Sequence, residues 1–382
     1  MHRTVLVVLL VVLVGLAGCV GVNGDGDDPE TIELDDVDDT DVVEDDPADD
    51  TDTEDTDGDD EESAADDVTD QPDTDDEVPA VDGTLELHHI DVGQADSTLV
   101  VTPEEETILI DTGHWQQNGA VVIEYLEEMD IYRIDHLVAT HGHADHIGGH
   151  AEVIEHFETE RDGIGNIYDS GVPHTTQTYE NYLDAVDAYD HELLLVEDGD
   201  TVPLDDDSVN VQVINPPAGD SGDDLHYNSV SLRIEFGNVT YLTTGDAETE
   251  AEERMVDDWN DSLDSDLYQA GHHGSSTSSS TPFMDAVAPD IAIISSDFDS
   301  QFGHPHDEVL TAFADRDIET YWTGVPGDIL VTTDGDSSDV ETTEPCSTDA
   351  EELLEEKPAD DSAALGHPEI VTDIHSPGGV EA

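Results

Sequence analysis

The chain has 382 residues, of which 100 are Asp or Glu and only 7 are Lys or Arg, giving a formal net charge of -93. This balance excludes a protein that binds duplex DNA through a basic face, because there are too few cations to build one. The length suffices for one large or two ordinary domains once any tails are set aside. At about 1 M salt the Debye length is only about 3 Å. The acidic excess therefore predicts a protein adapted to high salt.

The first 19 residues have the layout of an export signal. An apolar run at residues 5–16 follows a single Arg, and it is shorter than the roughly 20 residues that an ordinary membrane-spanning helix needs. Residues 16–19, Leu-Ala-Gly-Cys, resemble the lipobox of exported lipoproteins. This motif predicts that Cys19 is lipidated and holds an extracytoplasmic chain at the membrane; a short uncleaved anchor is the alternative. Cys346 is the only other cysteine, so no internal disulfide is expected.

Acidic segments flank a central region. Residues 20–82 consist largely of Asp, Glu, Thr, Val and Pro, and they predict a disordered tether, because such a segment cannot bury enough apolar surface to offset its ordering entropy. Residues 335–382 predict an acidic linker with one short strand at 369–375, to which no function is assigned. Residues 83–334 predict one folded domain.

The central region alternates strand and helix patterns. Short apolar or alternating runs predict strands at residues 85–92, 97–102, 107–110, 134–140, 192–196, 209–214, 230–236, 239–244, 267–270 and 291–295. Helical spacing of apolar residues predicts helices at residues 121–129, 151–157, 178–189, 248–256, 282–287 and 307–313. Hairpins interspersed with single helices predict sheets packed between helical layers, an α+β fold.

The strongest chemical signal is Thr-His-Gly-His-Ala-Asp-His-Ile-Gly-Gly at residues 140–149, at the end of a predicted buried strand. In a loop, His141 and His143 can chelate one metal ion while Asp145 and His146 turn toward a second. Imidazole together with carboxylate suits zinc, with manganese or iron as alternatives. We therefore expect a zinc site, with two ions.

This His-x-His-x-Asp-His pattern resembles the metal-binding signature of the metallo-β-lactamase fold, an αββα sandwich of hydrolases. The resemblance covers nearly all of residues 83–334. It implies that Asp111, in Leu-Ile-Asp-Thr-Gly, is a buried group that supports the metal-binding loop. It also implies that Asp246 bridges two metal ions and that His272 is the last metal ligand.

A narrower resemblance points to the hydrolase domain of the competence DNA-channel protein ComEC. It rests on His-Ile-Asp-Val-Gly-Gln-Ala-Asp-Ser at residues 89–97 and on residues 228–232, 271–276 and 303–305. The wider family has a ligand His where Asn228 aligns here, and His226 and His174 are nearby candidates. Asn228 is usual in the narrower group, which implies that one ion is held less tightly. Ala144, where flavo-diiron relatives carry Glu, argues against an oxygen-reducing iron site.

The resemblance implies hydrolysis by a metal-bound hydroxide, with Asp145 binding metal and orienting the nucleophile. His273, Ser275 and His304 are candidates for gripping an anionic group or protonating the leaving group. Two other histidines, His150 and His156, are expected at solvated positions on a helix.

The leading interpretation is a membrane-anchored, extracytoplasmic, metal-dependent hydrolase acting on phosphodiesters. Its expected partners are an anionic small molecule or a single-stranded nucleic acid and the membrane; no protein partner is predicted. One alternative is an ester, lactone or β-lactam hydrolase, although β-lactamases of this fold often carry Cys where Asp246 stands. The other is a noncatalytic metal-binding surface module.

Overall fold

The computed structural model describes residues 81–219 and 221–358. The export signal, the tether up to residue 80 and the strand expected at 369–375 lie outside the described residues. Within the described ranges, no helix is long and apolar enough to cross a membrane.

Fifteen strands and seven α-helices are described. The strands are β1 Leu85–His89, β2 Thr98–Val101, β3 Thr107–Ile110, β4 Ile134–Val138, β5 Ile164–Asp169, β6 Leu193–Leu195, β7 Thr201–Val202, β8 Val209–Asn215, β9 Ser231–Phe236, β10 Val239–Thr243, β11 Leu267–Gln269, β12 Ile291–Ile294, β13 Glu319–Trp322, β14 Ile329–Thr333 and β15 Ser338–Thr342. The helices are α1 Ala120–Glu128, α2 His150–Glu160, α3 Gln177–Ala188, α4 Thr249–Trp259, α5 Thr281–Val287, α6 Asp307–Ala314 and α7 Ala350–Glu356.

The strands form two mixed sheets. The first sheet has the order β15-β14-β1-β2-β3-β4-β5-β6, and the second has the order β13-β12-β11-β10-β9-β8-β7. Strands β3 to β6 are parallel in the first sheet, and β10 to β13 are parallel in the second. The remaining neighbours pair antiparallel.

Alternating side chains create three apolar layers. On β2 and β3, Val100 and Ile108 face the space between the sheets, while Leu99 and Leu109 face α1 to α3, as the period of two along a strand requires. A third cluster packs the second sheet against α4 to α7. The arrangement is helix, sheet, sheet, helix, which confirms the αββα sandwich.

The folded domain continues past residue 334, because β15 and α7 follow that residue. The prediction of an acidic linker beginning at residue 335 is therefore wrong. Strand β15 pairs with β14 over five residues. Helix α7 buries Ala350 and Leu353 against the second sheet's helical layer, and Lys357 donates to Asp307 at 2.7 Å. The segment is acidic on its exposed faces, and only a few apolar residues mark its buried side.

The parallel strands place chemistry at one edge of each sheet, because neighbouring parallel strands end at the same edge. In the first sheet, Asp111 follows β3 and the loop at residues 140–149 follows β4. In the second sheet, Asp246 follows β10 and His272 and His273 follow β11. These four segments meet in one place.

Candidate metal centre

A first cluster joins His141, His143, His226 and Asp246, whose ligand atoms all lie within 4.8 Å of one another. His141 Nε2 is 2.9 Å from His143 Nδ1 and 3.5 Å from Asp246 Oδ2. The rings of His143 and His226 have centroids 4.9 Å apart. Burial lowers the pKa of His141 well below its usual value and that of His143 to about 4. Both rings are therefore held neutral, the form that ligates a metal.

A second cluster joins Asp96, His146, Asp246 and His273, all four buried and again with ligand atoms within 4.8 Å. His146 Nε2 lies 3.1 Å from Asp246 Oδ1. His273 Nε2 lies 3.9 Å from that same oxygen and 3.4 Å from Asp145 Oδ2. Asp246 thus presents one carboxylate oxygen to each cluster. The surrounding imidazoles outweigh its burial and hold the pKa of Asp246 well below its usual range.

The donor set fits a divalent metal ion. His146 Nε2, Asp246 Oδ1 and His273 Nε2 are buried and have no hydrogen-bond partner among the described residues. Leaving one such atom unsatisfied costs about 1–3 kcal/mol. Three of them converging on one point are the nitrogen and oxygen ligands that zinc takes. Each cluster can hold one ion, with Asp246 shared between them.

Asp111 orients His146 from behind. Its Oδ1 accepts from the backbone N–H of Thr140 at 2.9 Å, and its Oδ2 accepts from Thr140 Oγ1 and from His146 Nδ1, both at 2.7 Å. Because a proton of His146 is held on Nδ1, Nε2 is the nitrogen that faces Asp246 and would ligate a metal ion. Burial opposes a charge on His146, but Asp246 and Asp111 raise the pKa of this imidazole well above its ordinary value. Without a metal ion Nε2 therefore also carries a proton, which a bound ion would displace.

The glycine pair that closes the metal-binding loop allows a close backbone approach. A Cβ on Gly148 would lie 2.1 Å from the backbone nitrogen of Trp115, and one on Gly149 would lie 2.5 Å from the Cα of Gly119. Both contacts are impossible for any other residue without movement of the backbone. The pair therefore lets the segment after Asp111 pack directly onto the metal-binding loop.

His272 and His273 diverge although they are adjacent. Both have left-handed backbone, with φ of 50° and 56°, a conformation that costs about 1–3 kcal/mol for a residue other than glycine. His273 turns Nε2 into the second cluster. His272 places Nε2 3.6 Å from Asp246 Oδ2 and Nδ1 3.2 Å from Glu248 Oε1. The family resemblance predicts a metal ligand at His272 and a substrate contact at His273, whereas the structure places His273 among the buried ligand atoms of the second cluster.

His226, rather than Asn228, brings an imidazole to the first cluster. The Asn228 side chain donates to the carbonyl of Asp224 at 2.7 Å and accepts from Ser221 Oγ, so it braces the loop before β9. That brace presents His226, two residues earlier, to His143. His174 lies beside the cluster, with its Nδ1 donating to the carbonyl of Gly142 at 3.1 Å. His226 was one of two candidates in the sequence, named because it lies near Asn228.

A cavity of about 330 Å³ opens onto the second cluster. It is lined by Gln94, Asp145, His272, His273, Phe302, His304 and His306. Gln94 Nε2 donates to His304 Nδ1 at 3.2 Å, so the other ring nitrogen of His304 carries its proton. Burial and the neighbouring His273 lower the pKa of His304 to about 3. Phe302 is 56% exposed at the rim.

Ser275 and His150 are both buried. Ser275 is buried, and its Oγ lies 3.0 Å from Thr277 Oγ1 in the turn after His273. The expectation of a solvated His150 is wrong: it is fully buried, and its Nδ1 lies 2.7 Å from Thr112 Oγ1. It begins α2 at the point where that helix meets α3, so its ring packs on Tyr182.

The sequence of this chain is similar to a known family and to several known proteins. The model of the Metallo-beta-lactamase superfamily matches residues 90–296, more than half of the chain. ComE operon protein 3 of Bacillus subtilis is 28% identical over 267 residues, covering 66% of this chain and 33% of that protein. Competence protein ComA of Neisseria gonorrhoeae is 29% identical over 237 residues, covering 62% and 30%. The chain thus spans about a third of the length of these relatives.

Among solved structures, CmlA, a diiron β-hydroxylase from Streptomyces venezuelae, is similar over 67% of this chain and 55% of its own, with 16% identity and a TM-score of 0.42.

Proposed function

Because the chain belongs to the metallo-β-lactamase superfamily and is a metal-dependent hydrolase of that superfamily, we propose that it cleaves phosphodiesters, single-stranded nucleic acid among them. The observation that carries the proposal is the pair of ligand clusters sharing Asp246 beneath an open cavity. Two zinc ions bound there would supply an activated water and offset charge on an anionic substrate.

The residues of the two clusters and of the cavity have separate roles in this proposal. His141, His143 and His226 would hold one ion, and His146 and His273 would hold the other, with Asp246 offering one carboxylate oxygen to each cluster. Asp145 lines the cavity 3.4 Å from His273 Nε2, where its carboxylate can orient a water. His304 carries its proton on the nitrogen that Gln94 does not contact, so it can donate a hydrogen bond to an oxygen of the substrate.

The substrate class is supported by charge and by resemblance. No lysine or arginine lines the cavity in the described part of the chain, so the charge of a phosphodiester is balanced by the ions and by imidazole N–H groups. The exposed ring of Phe302 offers a surface on which a base can stack. The similarity to two proteins named for competence and the ComEC-like motifs favour nucleic acid over esters and β-lactams.

The test is turnover by the full chain in molar salt with added zinc or manganese. Bis(p-nitrophenyl) phosphate and a single-stranded oligonucleotide are compared with p-nitrophenyl acetate and a chromogenic β-lactam. We expect cleavage of the first two, lost in His143→Ala and retained in His156→Ala, since His156 belongs to neither ligand cluster and pairs with the exposed side chain of Glu127. Cleavage restricted to the ester or the β-lactam, or phosphodiester turnover that survives His143→Ala, would contradict the proposal.

We further propose that the domain acts outside the cell, held at the membrane by a lipidated Cys19. The lipobox at residues 16–19 supports this placement, and the acidic tether after it would hold the domain away from the membrane surface. Cys19→Ser should release the protein from the membrane fraction of its host. Retention of that variant at the membrane would favour an uncleaved anchor.

A further inference from the structure

We propose that Gln269 is a positioning residue for the second metal ion: through Asp96 it holds His273 with Nε2 facing the second cluster. The inference rests on the metal centre of the proposed function and is independent of the substrate. Neither Gln269 nor Asp96 was assigned a role from the sequence motifs.

Asp96 is itself a member of the second cluster, and its carboxylate lies beside Nδ1 of His273. Its Oδ2 is 3.6 Å from His273 Nδ1, and the carbonyl of Ser295 is 3.1 Å from that same nitrogen. The Ser295 carbonyl accepts the hydrogen bond of Nδ1–H, and the charge of the nearby Asp96 carboxylate favours a proton at that nitrogen. The lone pair of Nε2 is then directed at Asp145 and Asp246, which is the arrangement by which carboxylates and carbonyls orient metal-binding imidazoles.

Gln269 fixes the carboxylate of Asp96. Its Nε2 donates to Asp96 Oδ1 at 2.9 Å, while its Oε1 accepts from Tyr241 Oη at 2.7 Å and from Thr98 Oγ1 at 3.1 Å. A flipped amide would point its N–H groups at the two hydroxyl donors and its oxygen at the carboxylate. The amide therefore has one satisfactory orientation.

The relay crosses from one sheet to the other. Thr98 belongs to β2 of the first sheet, while Tyr241 and Gln269 belong to β10 and β11 of the second. Asp96 and Gln269 are 4% and 5% exposed. A buried charge held by neutral partners lowers stability relative to apolar packing. Sheet packing alone does not call for such a chain of polar groups, whereas orientation of His273 does.

The experiment measures zinc affinity of the full chain in molar salt by competition with a chromogenic chelator. Gln269→Met keeps the side-chain volume and removes the amide. It should lower the affinity for one of the two zinc ions by about 10- to 100-fold, the effect typical of losing such a supporting group. The affinity for the other ion should stay within about threefold of the wild-type value. Thr320→Val, which removes another buried hydrogen bond in the same sheet, on β13 two strands away from Gln269, should leave both affinities unchanged.

Two further variants make the result specific. Asp96→Asn should weaken the same ion as Gln269→Met, and it serves as the test if Gln269→Met does not fold. Glu248→Gln should weaken the other ion, because Glu248 faces His226 and His272. Equal loss at both ions, no loss in Gln269→Met, or the same loss in Thr320→Val would overturn the inference. Zinc binding without phosphodiester turnover would refute the proposed substrate and leave this inference standing; a wild-type chain that binds no zinc refutes both.

Discussion

Replacing Asp111 with Asn tests whether a single proton on His146 controls metal binding. The carboxylate accepts three hydrogen bonds, two from Thr140 and one from His146 Nδ1. An amide has one oxygen, which can keep the backbone N–H of Thr140, and its NH₂ then faces the other two groups. Thr140 Oγ1 can accept from it. His146 can accept only if its proton moves to Nε2, where it faces Asp246 Oδ1 at 3.1 Å.

With its proton on Nε2, His146 has no lone pair at that atom to offer a metal ion. Returning the proton to Nδ1 frees the lone pair, but the Nδ1–H of His146 then faces the NH₂ of the introduced amide. The loss of one hydrogen bond to a charged acceptor costs about 1.5–3 kcal/mol, which corresponds to roughly 10- to 100-fold in the affinity of the second ion. The fold should persist, because Asn tolerates the positive φ of 58° at residue 111.

Chelator competition in molar salt measures the affinities, and thermal unfolding monitors the fold. Asp169→Asn is the matched control: Asp169 ends the next strand, β5, is equally buried and accepts from the N–H of Gly171. The reasoning fails if Asp111→Asn keeps both zinc affinities within about threefold, or if Asp169→Asn lowers them equally.

Two further predictions concern the fold. Leu353→Ala should lower the free energy of unfolding by about 2–5 kcal/mol, since this α7 side chain is fully buried. Leu354 is only partly buried, so Leu354→Ala should lower the free energy of unfolding by less. Equal and negligible effects of the two substitutions in denaturant titrations would mean that α7 does not pack on the domain. Burial raises the pKa of Glu252 from 4.5 to about 7 although Ser279 and Ser280 donate to it, so the folded chain binds a proton that the unfolded chain loses. Stability should therefore fall as pH rises from about 4.5 to 7, and Glu252→Gln should remove at most about 3 kcal/mol of that fall; a variant with the wild-type pH profile would contradict this.

The layered fold was predictable because it depends on local patterns. The alternation on β2 and β3 and the helical spacing before β4 are visible in the sequence, and the predicted helix at 121–129 differs by one residue at each end from α1. Strand β15 and helix α7 were missed because charged residues dominate them. In a chain this acidic, charge on the exposed face does not distinguish a linker from a surface helix, and a few apolar residues, Val340, Ala350 and Leu353 among them, mark the packed side.

The candidate site was predictable where ligands share one loop and less so elsewhere. His141, His143 and His146 are close in sequence, so their spacing alone brings them together. Asp96 and Glu248 come from other segments, and nothing local relates them to His273 or His272. Gln269 ends the strand just before those two histidines, but no motif relates its amide to Asp96. Their contacts depend on how the two sheets pack, which no spacing within a motif encodes.

Asp246 follows a strand of the second sheet, whereas His141 and His146 follow a strand of the first. An ion held by all three residues would fasten the two halves of the sandwich and would have to leave before the halves separate. Unfolding of the loaded protein would then be limited by metal release, and the half-life of the folded chain would lengthen with free zinc concentration. The centre would in that way set how long the domain survives as well as what it does.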